Sequence, residues 1–282
     1  MSGTEPGSAS SVAGPSKQQN GSAEKRNAFT ELLSSRSKLS KHTMASTSKT
    51  PPLKSSPAQF SQFGGREGLG AYIAKPESYP SNIVIYHNAE FVAIHDLFPK
   101  SSLHLLLLPR DPTKTRLHPF EAFEDVEFLA KVKFEAQKLR SLAAGELRRK
   151  YGKDSAQERA RQQALSADPP PDELPPGRDW DKEIMCGIHA VPSMSHLHVH
   201  VIAVDRYSDC LKHRKHYNSF ATPFFVPIDD FPLAKDDVRR YPTREGYLRH
   251  DFICWRCGEN FANKFVELKK HLALEFAEWK RL

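Results

Sequence analysis

His196-Leu197-His198-Val199-His200-Val201-Ile202 is the stretch on which the reading of this sequence turns. Taken with the two-residue period of a strand, it puts three imidazoles on one face and Leu197, Val199 and Val201 on the other. One face belongs to a core, and the other is a surface built for chemistry. Just upstream, Pro192-Ser193-Met194-Ser195 is a tight polar loop, in which the hydroxyls and N–H groups of Ser193 and Ser195 are suited to an anion. A neutral imidazole, with an ordinary pKa of about 6.5, keeps a lone pair able to attack phosphorus near neutral pH. Three readings stand beside each other. The strand face carries nucleotidyl chemistry, or it ligates a metal as His-x-His pairs on strands do, or it is a polar face without a role. The phosphate-suited loop, and the lack of an acidic third ligand after it, favour the first.

Working outward, the segments 83–87 and 91–95 are rich in β-formers around Asn88-Ala89-Glu90, which predicts a hairpin. Residues 103–108 form a third strand apolar enough for the middle of a sheet, and 184–191 and 196–204 add two more. Over 118–142, Phe120, Phe123, Phe128, Val132 and Leu139 recur at helical spacing with charges between them, which predicts the long helix of the domain. A short helix over 69–74 stops at Lys75-Pro76. Strands and helices in this order make an α+β fold with an antiparallel sheet and flanking helices. The stretch 143–179 turns charged and then proline-rich, and is expected to be a mobile insertion into a catalytic domain spanning 59–242. Residues 1–58 are Ser, Thr, Lys, Gly and Pro with few apolar side chains, which predicts a disordered basic tail. Within it, Asn27-Ala28-Phe29 and Leu32-Leu33 offer a short amphipathic segment for docking a partner.

The formal net charge of +7 points to a polyanionic partner such as nucleic acid, or equally to simple solubility. Four cysteines, two of them in one Cys-x-x-Cys, make no disulfide framework and fit a reducing compartment. No apolar leader opens the sequence, and the run Leu105 to Pro109 is too short to span a bilayer, so no membrane role is expected.

The remaining segment, 243–282, reads as a small ββα-like zinc finger. Cys254-Trp255-Arg256-Cys257-Gly258 aims two thiolates at one ion, and His271 follows at finger spacing. Phe261 and Leu268 supply the apolar plug, with 263–279 as the helix. No second histidine comes within the usual interval, but Glu275 lies one turn beyond His271 on the same helical face, completing a site of two cysteines, one histidine and one glutamate for a single structural Zn2+. Arg256, Lys264, Lys269 and Lys270 give the unit positive charge suited to phosphates rather than bases.

The pattern His-φ-His-φ-His-φ-φ resembles the signature of the histidine-triad superfamily of nucleotide hydrolases and transferases. Gly187-Ile188-His189-Ala190-Val191-Pro192-Ser193-Met194-Ser195 before it, His95-Asp96-Leu97-Phe98-Pro99-Lys100-Ser101 leading to His104, and Leu211-Lys212 with His216-Tyr217-Asn218-Ser219-Phe220 after it extend the likeness. With the finger, the resemblance covers most of 60–282 and is strongest to the DNA-end-repair branch of the family. It implies that His198 forms a covalent adenylyl-imidazole, supported by His196, His200 and His189. It implies that Asp96 and Phe98 border the ribose and adenine of AMP, alongside Ser193, Ser195 and His104. Lys100, Ser101, Lys212 and His216 would approach DNA, with Arg256 and Lys264 from the finger. A base-stacking wedge is expected before the first strand, from Phe63, Leu69 or Tyr72, although Gly64-Gly65 stands where a bulkier residue is expected. The activity implied is hydrolysis of AMP from 5′-adenylated DNA ends in the nucleus, by a monomer needing no catalytic metal, with a repair-protein partner on the tail. Two other functions compete: a hydrolase of dinucleoside polyphosphates or nucleoside phosphoramidates, and a non-catalytic zinc-finger DNA-binding protein.

Overall fold

A computed structural model describes residues 65–282. The basic tail over 1–58, its candidate docking segment and Phe63 lie outside the described residues.

Helix α1 (Gly70–Ala74) leads through Lys75-Pro76 to the hairpin of β1 (Val84–His87) and β2 (Phe91–His95). The turn is fixed by Asn88, whose side-chain oxygen accepts the N–H groups of Glu90 at 2.9 Å and Phe91 at 2.7 Å. Strand β3 (His104–Pro109) is buried at every position, as its apolar run predicts for a central strand. Helix α2 (Val126–Tyr151) begins at Asp125, which caps the N–H of Phe128 at 3.0 Å. Then come α3 (Ala156–Leu165), β4 (Ile184–His189), β5 (Val199–Ala203), α4 (Arg214–Ala221), β6 (Phe225–Pro227) and α5 (Phe265–Trp279). The six strands pair antiparallel in the order β1-β2-β3-β5-β4-β6. Among the described residues, no helix is long and apolar enough to cross a membrane.

The sheet has two chemically different faces, because side chains alternate along each strand. Ala93, Leu105, Leu107, Val199 and Val201 pack against Leu129, Val132, Ala136 and Leu139 of α2. Burying each of the valines and leucines among them stabilises the fold by roughly 1.5–3 kcal/mol. The opposite face carries His104, His198 and His200 beside Ile202, Phe220 and Phe225. Register decides this: His104 pairs with Ile202 and Leu106 with His200, so the histidines of β3 and β5 share one side of the pleat.

Three expectations need correction. The histidine strand starts at Val199 rather than 196, because the Leu197 N–H leaves the sheet to reach the Thr115 carbonyl at 2.8 Å. The stretch 143–165 is not an unpacked excursion. Helix α2 continues through it with Ala143, Ala144 and Leu147 buried, and α3 follows, capped by the buried Ser155. The finger's two strands are reduced to one bridge between Ile253 and Asn260, and its helix starts at Phe265.

That last helix docks into the sheet domain, within one compact unit. Trp279 is buried, its indole N–H donates to Glu183 Oε2 at 2.7 Å, and its carbonyl accepts from Arg178 at 2.7 Å. The Arg178 guanidinium lies over the rings of both Trp180 and Trp279. Ser155 Oγ donates to the Leu282 carbonyl at 2.7 Å, and the Ala156 N–H to Arg281 at 2.9 Å.

Candidate active site and metal centre

The protonation pattern of the histidine face can be traced from the backbone. The Lys100 N–H, which can only donate, reaches His104 Nδ1 at 3.2 Å. With the Lys100 N–H, nearer than the Asp96 carboxylate oxygen at 3.4 Å, as the partner of Nδ1, the His104 hydrogen sits on Nε2, which donates to His200 Nδ1 at 2.9 Å. That places the His200 hydrogen on Nε2, an atom that is buried and has no hydrogen-bond partner in the protein. A buried donor of this kind calls for a ligand atom. His198 Nδ1 donates to the His196 carbonyl at 2.7 Å, which leaves its Nε2 lone pair for attack. The His198 and His200 rings stand 4.8 Å apart at 82°.

Electrostatics keep these rings neutral. Burial lowers the pKa of His198 and pushes those of His189 and His200 well below the ordinary value. The same cause brings His104 down to about 4. His189 joins from β4, its ring 4.4 Å from that of His200 and its Nε2 likewise buried without a partner. His196 is buried, with Nδ1 unpartnered. Lys100, whose charge acts on His104, His189 and His200, has its own pKa lowered by burial and contacts the Phe98 carbonyl.

The turn after β2 brings further residues to the rim. Asp96 Oδ1 accepts the Phe98 N–H at 2.7 Å, and Leu97 and Phe98 are both exposed, the latter at 40 %. Ser193 is exposed, while the Ser195 N–H donates to Arg66 at 2.9 Å, tying the loop to the segment before α1. Asp96, His104 and His200 also lie close enough to suggest a cation. The paired nitrogens of His104 and His200, and the Lys100 N–H on the third, commit those lone pairs elsewhere.

Some expected contacts are placed otherwise. Ser101 is buried and donates its hydroxyl to the Ala203 carbonyl at 2.7 Å, so this group holds the loop rather than facing DNA. Leu69 is buried in a small cluster on the sheet and cannot serve as a wedge, and Tyr72 rests on Tyr79 with rings 4.6 Å apart. Lys212 is exposed, and its N–H donates to His216 Nδ1 at 3.2 Å. Burial, then the charge of Lys100, brings the His216 pKa to about 4. Two residues escaped the sequence reading. Gly70 of α1 lies so close to His196 that a β-carbon there would meet the imidazole at 2.9 Å. Phe220 packs on His189, His200 and His104 at ring distances of 4.6, 5.2 and 5.4 Å. Neither a glycine in a short helix nor a phenylalanine in an extension carries a sequence signal of such a contact.

In the finger, ligand atoms of Cys254, Cys257, His271 and Glu275 all lie within 4.8 Å of one another. Cys257 Sγ is 3.2 Å from His271 Nε2, which is 3.2 Å from Glu275 Oε1. Gly258, at φ +77°, permits the turn after the second thiol. Two thiolates, an imidazole and a carboxylate make a four-ligand set whose chemistry fits structural zinc. The other Glu275 oxygen pairs with Arg256, which commits that guanidinium to the metal centre's rim rather than leaving it open to DNA. Lys264 is exposed and 3.4 Å from Glu267.

Comparison with known proteins agrees with this geometry. Residues 78–207 match the family described as "HIT domain", and 221–278 the "C2HE / C2H2 / C2HC zinc-binding finger". The chain is 35% identical to the aprataxin-like protein of Schizosaccharomyces pombe, over 84% of this chain and 92% of that one. It is 39% identical to the aprataxin-like protein of Saccharomyces cerevisiae, over 75% and 95%. The crystal structure of the aprataxin ortholog Hnt3 in complex with DNA superposes with a TM-score of 0.59 at 34% identity, covering 76% of this chain and 96% of that one.

Proposed function

This chain belongs to the aprataxin-like branch of the histidine-triad family, and from that premise we propose that it is a DNA-repair hydrolase that removes AMP from adenylated DNA 5′ ends. The observation that carries the reading is the pairing of a free His198 Nε2 lone pair with a buried, unpartnered donor on His200.

In the first step the His198 nitrogen attacks the AMP phosphorus, a P–N bond forms, and the bond to the bridging oxygen breaks with the electron pair going to the DNA 5′-phosphate. That group is a stable phosphate monoester anion, so charge neutralisation matters more than proton donation. His200 Nε2–H and Lys100 take up charge on the phosphoryl oxygens, with His189 beside them. In the second step water attacks the same phosphorus and gives up a proton to solvent, the P–N bond breaks with its electron pair returning to His198, and AMP leaves. The imidazole supplies the nucleophile and the N–H groups the charge stabilisation, so the reaction calls on no catalytic metal. Cys254, Cys257, His271 and Glu275 would hold a single zinc ion, which would tie the knuckle to the middle of α5.

Asp96, Phe98, Ser193 and Ser195 form the nucleotide side, with His104 behind them orienting His200. Lys100, Lys212, His216 and Lys264 form the DNA side, and Phe63, outside the described residues, is our candidate for the base-stacking wedge. The DNA complex of the similar ortholog and the net charge of +7 support a DNA partner. We assign the protein to the nucleus as a monomer, with a catalytic region over 59–242, the finger over 243–282, and residues 1–58 as the segment that engages a repair protein. A direct test supplies 5′-adenylated nicked DNA beside a dinucleoside polyphosphate and adenosine phosphoramidate. AMP release should be faster from DNA by about a hundredfold or more in kcat/KM. Release from the small substrates alone would make it a small-nucleotide hydrolase, and release from none would leave only a DNA-binding protein.

A further inference from the structure

Helix α4 is short, but it touches both chemical centres of the molecule. On one side, Phe220 lies against the three imidazoles of His189, His200 and His104, nearly perpendicular to the last two at 84° and 87°. Those rings carry the hydrogen-bond chain that fixes the His200 donor, so the plane of Phe220 limits how far they can tilt. One turn earlier, Tyr217 grips the finger knuckle. Its Oη donates to the Ile253 carbonyl at 2.8 Å and accepts the Trp255 N–H at 3.1 Å, bracketing Cys254. Asn218 Nδ2 donates to the His250 carbonyl at 2.8 Å.

The helix is also held from below. The Phe220 carbonyl accepts from the Arg206 guanidinium at 3.0 Å, and that guanidinium faces the Trp255 ring of the knuckle at 5.8 Å. Arg206 sits at φ +45°, a backbone state costly for a side chain of this size, and is kept there by the contacts around it. Knuckle, helix and histidine face therefore share one set of fixed contacts. A phenolic oxygen paired on both sides is more than apolar filler, since a phenylalanine would fill the same space.

We propose that Tyr217 is a positioning residue for AMP release: it sets α4 against the finger so that Phe220 holds His189, His200 and His104 in register for the reaction. The finger then contributes to the chemical step itself, even for a substrate too small to touch it. The proposal rests on the AMP-hydrolase reading for its kinetic prediction, but not for its spectroscopic one.

The test compares Tyr217→Phe and Phe220→Leu with the unaltered full chain, using adenosine phosphoramidate as a substrate without DNA. Tyr217→Phe keeps the ring and removes the two hydrogen bonds. It should lower kcat about tenfold with KM little changed, since loss of roughly 1.4 kcal/mol in the transition state corresponds to that factor. Phe220→Leu should do the same, and the double variant should be no worse than either, because both act through one contact. Zinc content and affinity for unmodified nicked DNA should not move. Independently of turnover, the ring nitrogen NMR signals of His189 and His200 should shift or broaden in Tyr217→Phe as their tautomers lose definition. If those signals stay put, or if Tyr217→Phe weakens DNA affinity while kcat on the small substrate is unchanged, the coupling does not exist. If the unaltered protein releases AMP from no substrate while the signals still respond, the hydrolase reading fails and the positional link survives.

Discussion

His198 is useful because of what its two nitrogens are already doing. Nδ1 is committed to the His196 carbonyl at 2.7 Å, so the neutral ring has one tautomer and its lone pair one direction. Burial lowers its pKa, which keeps that lone pair unprotonated below the ordinary histidine range. The acid limb of kcat/KM for AMP release should accordingly lie below about pH 6.5. A pH–rate profile of the free enzyme checks this, and a limb above that value would mean another group controls the rate. His104 acts one step further out. Replacing it by phenylalanine keeps the packing on Phe220 but takes the acceptor from the Lys100 N–H and the donor from His200 Nδ1. His200 is then free to choose the wrong tautomer, and kcat should fall about a hundredfold, the upper range for removing a partner that orients a catalytic ligand. Measuring kcat and KM for His104→Phe separates this from lost substrate binding, which would raise KM alone.

Among the elements, α1 and the sheet face meet at one crowded point. Gly70 leaves only enough room for the His196 ring, and an alanine there would press its β-carbon to 2.9 Å from the imidazole. Alanine favours the helix over glycine by about 0.5–1 kcal/mol, so Gly70→Ala should leave the melting temperature nearly unchanged. The displaced ring should still lower AMP release by about tenfold, because small misplacements at a reacting centre are costly. Equal activity would show that α1 yields instead. The histidine face as a whole makes a second prediction. Burial holds His104 near 4 against an ordinary value of about 6.5, so the unfolded chain takes up this proton first. Its native contribution is intact above about pH 6.5 and is lost as pH falls toward 4, on the order of 3 kcal/mol in all. His189, His198 and His200 are shifted in the same direction and steepen the loss. Urea unfolding at stepped pH should show stability falling through that window, and a flat profile would contradict the burial of these rings. This face was largely legible in the sequence, since a strand period of two sorts histidines from valines without any knowledge of partners. The Gly70 contact was not, because it depends on how a helix more than a hundred residues away in sequence from His196 comes to rest.

On the scale of the whole molecule, the sequence reads as a catalytic region, a charged excursion and a separate finger, and the structure joins all three. The Cys-x-x-Cys pair with His271 and Glu275 was legible, because ligand spacing is local. The docking of α5 was not, because Arg178 and Trp279 lie 101 residues apart and neither belongs to a motif. Trp279 is the centre of that joint: buried, bonded through its indole to Glu183, and packed edge-to-face on Trp180 at 6.3 Å. Truncating a buried tryptophan costs roughly 3–5 kcal/mol, and here it also strips Glu183 of a donor and opens one face of the Arg178 guanidinium. For a domain of this size such a loss lowers the melting temperature by about 10 °C. If finger and sheet are one cooperative unit, calorimetry of Trp279→Ala should show a single transition moved down as a whole, and chelating the zinc of the unaltered protein should move the same transition in the same direction. A finger that merely hangs from the catalytic region would give the opposite result: a separate low-temperature transition in Trp279→Ala, with the main one left where it was.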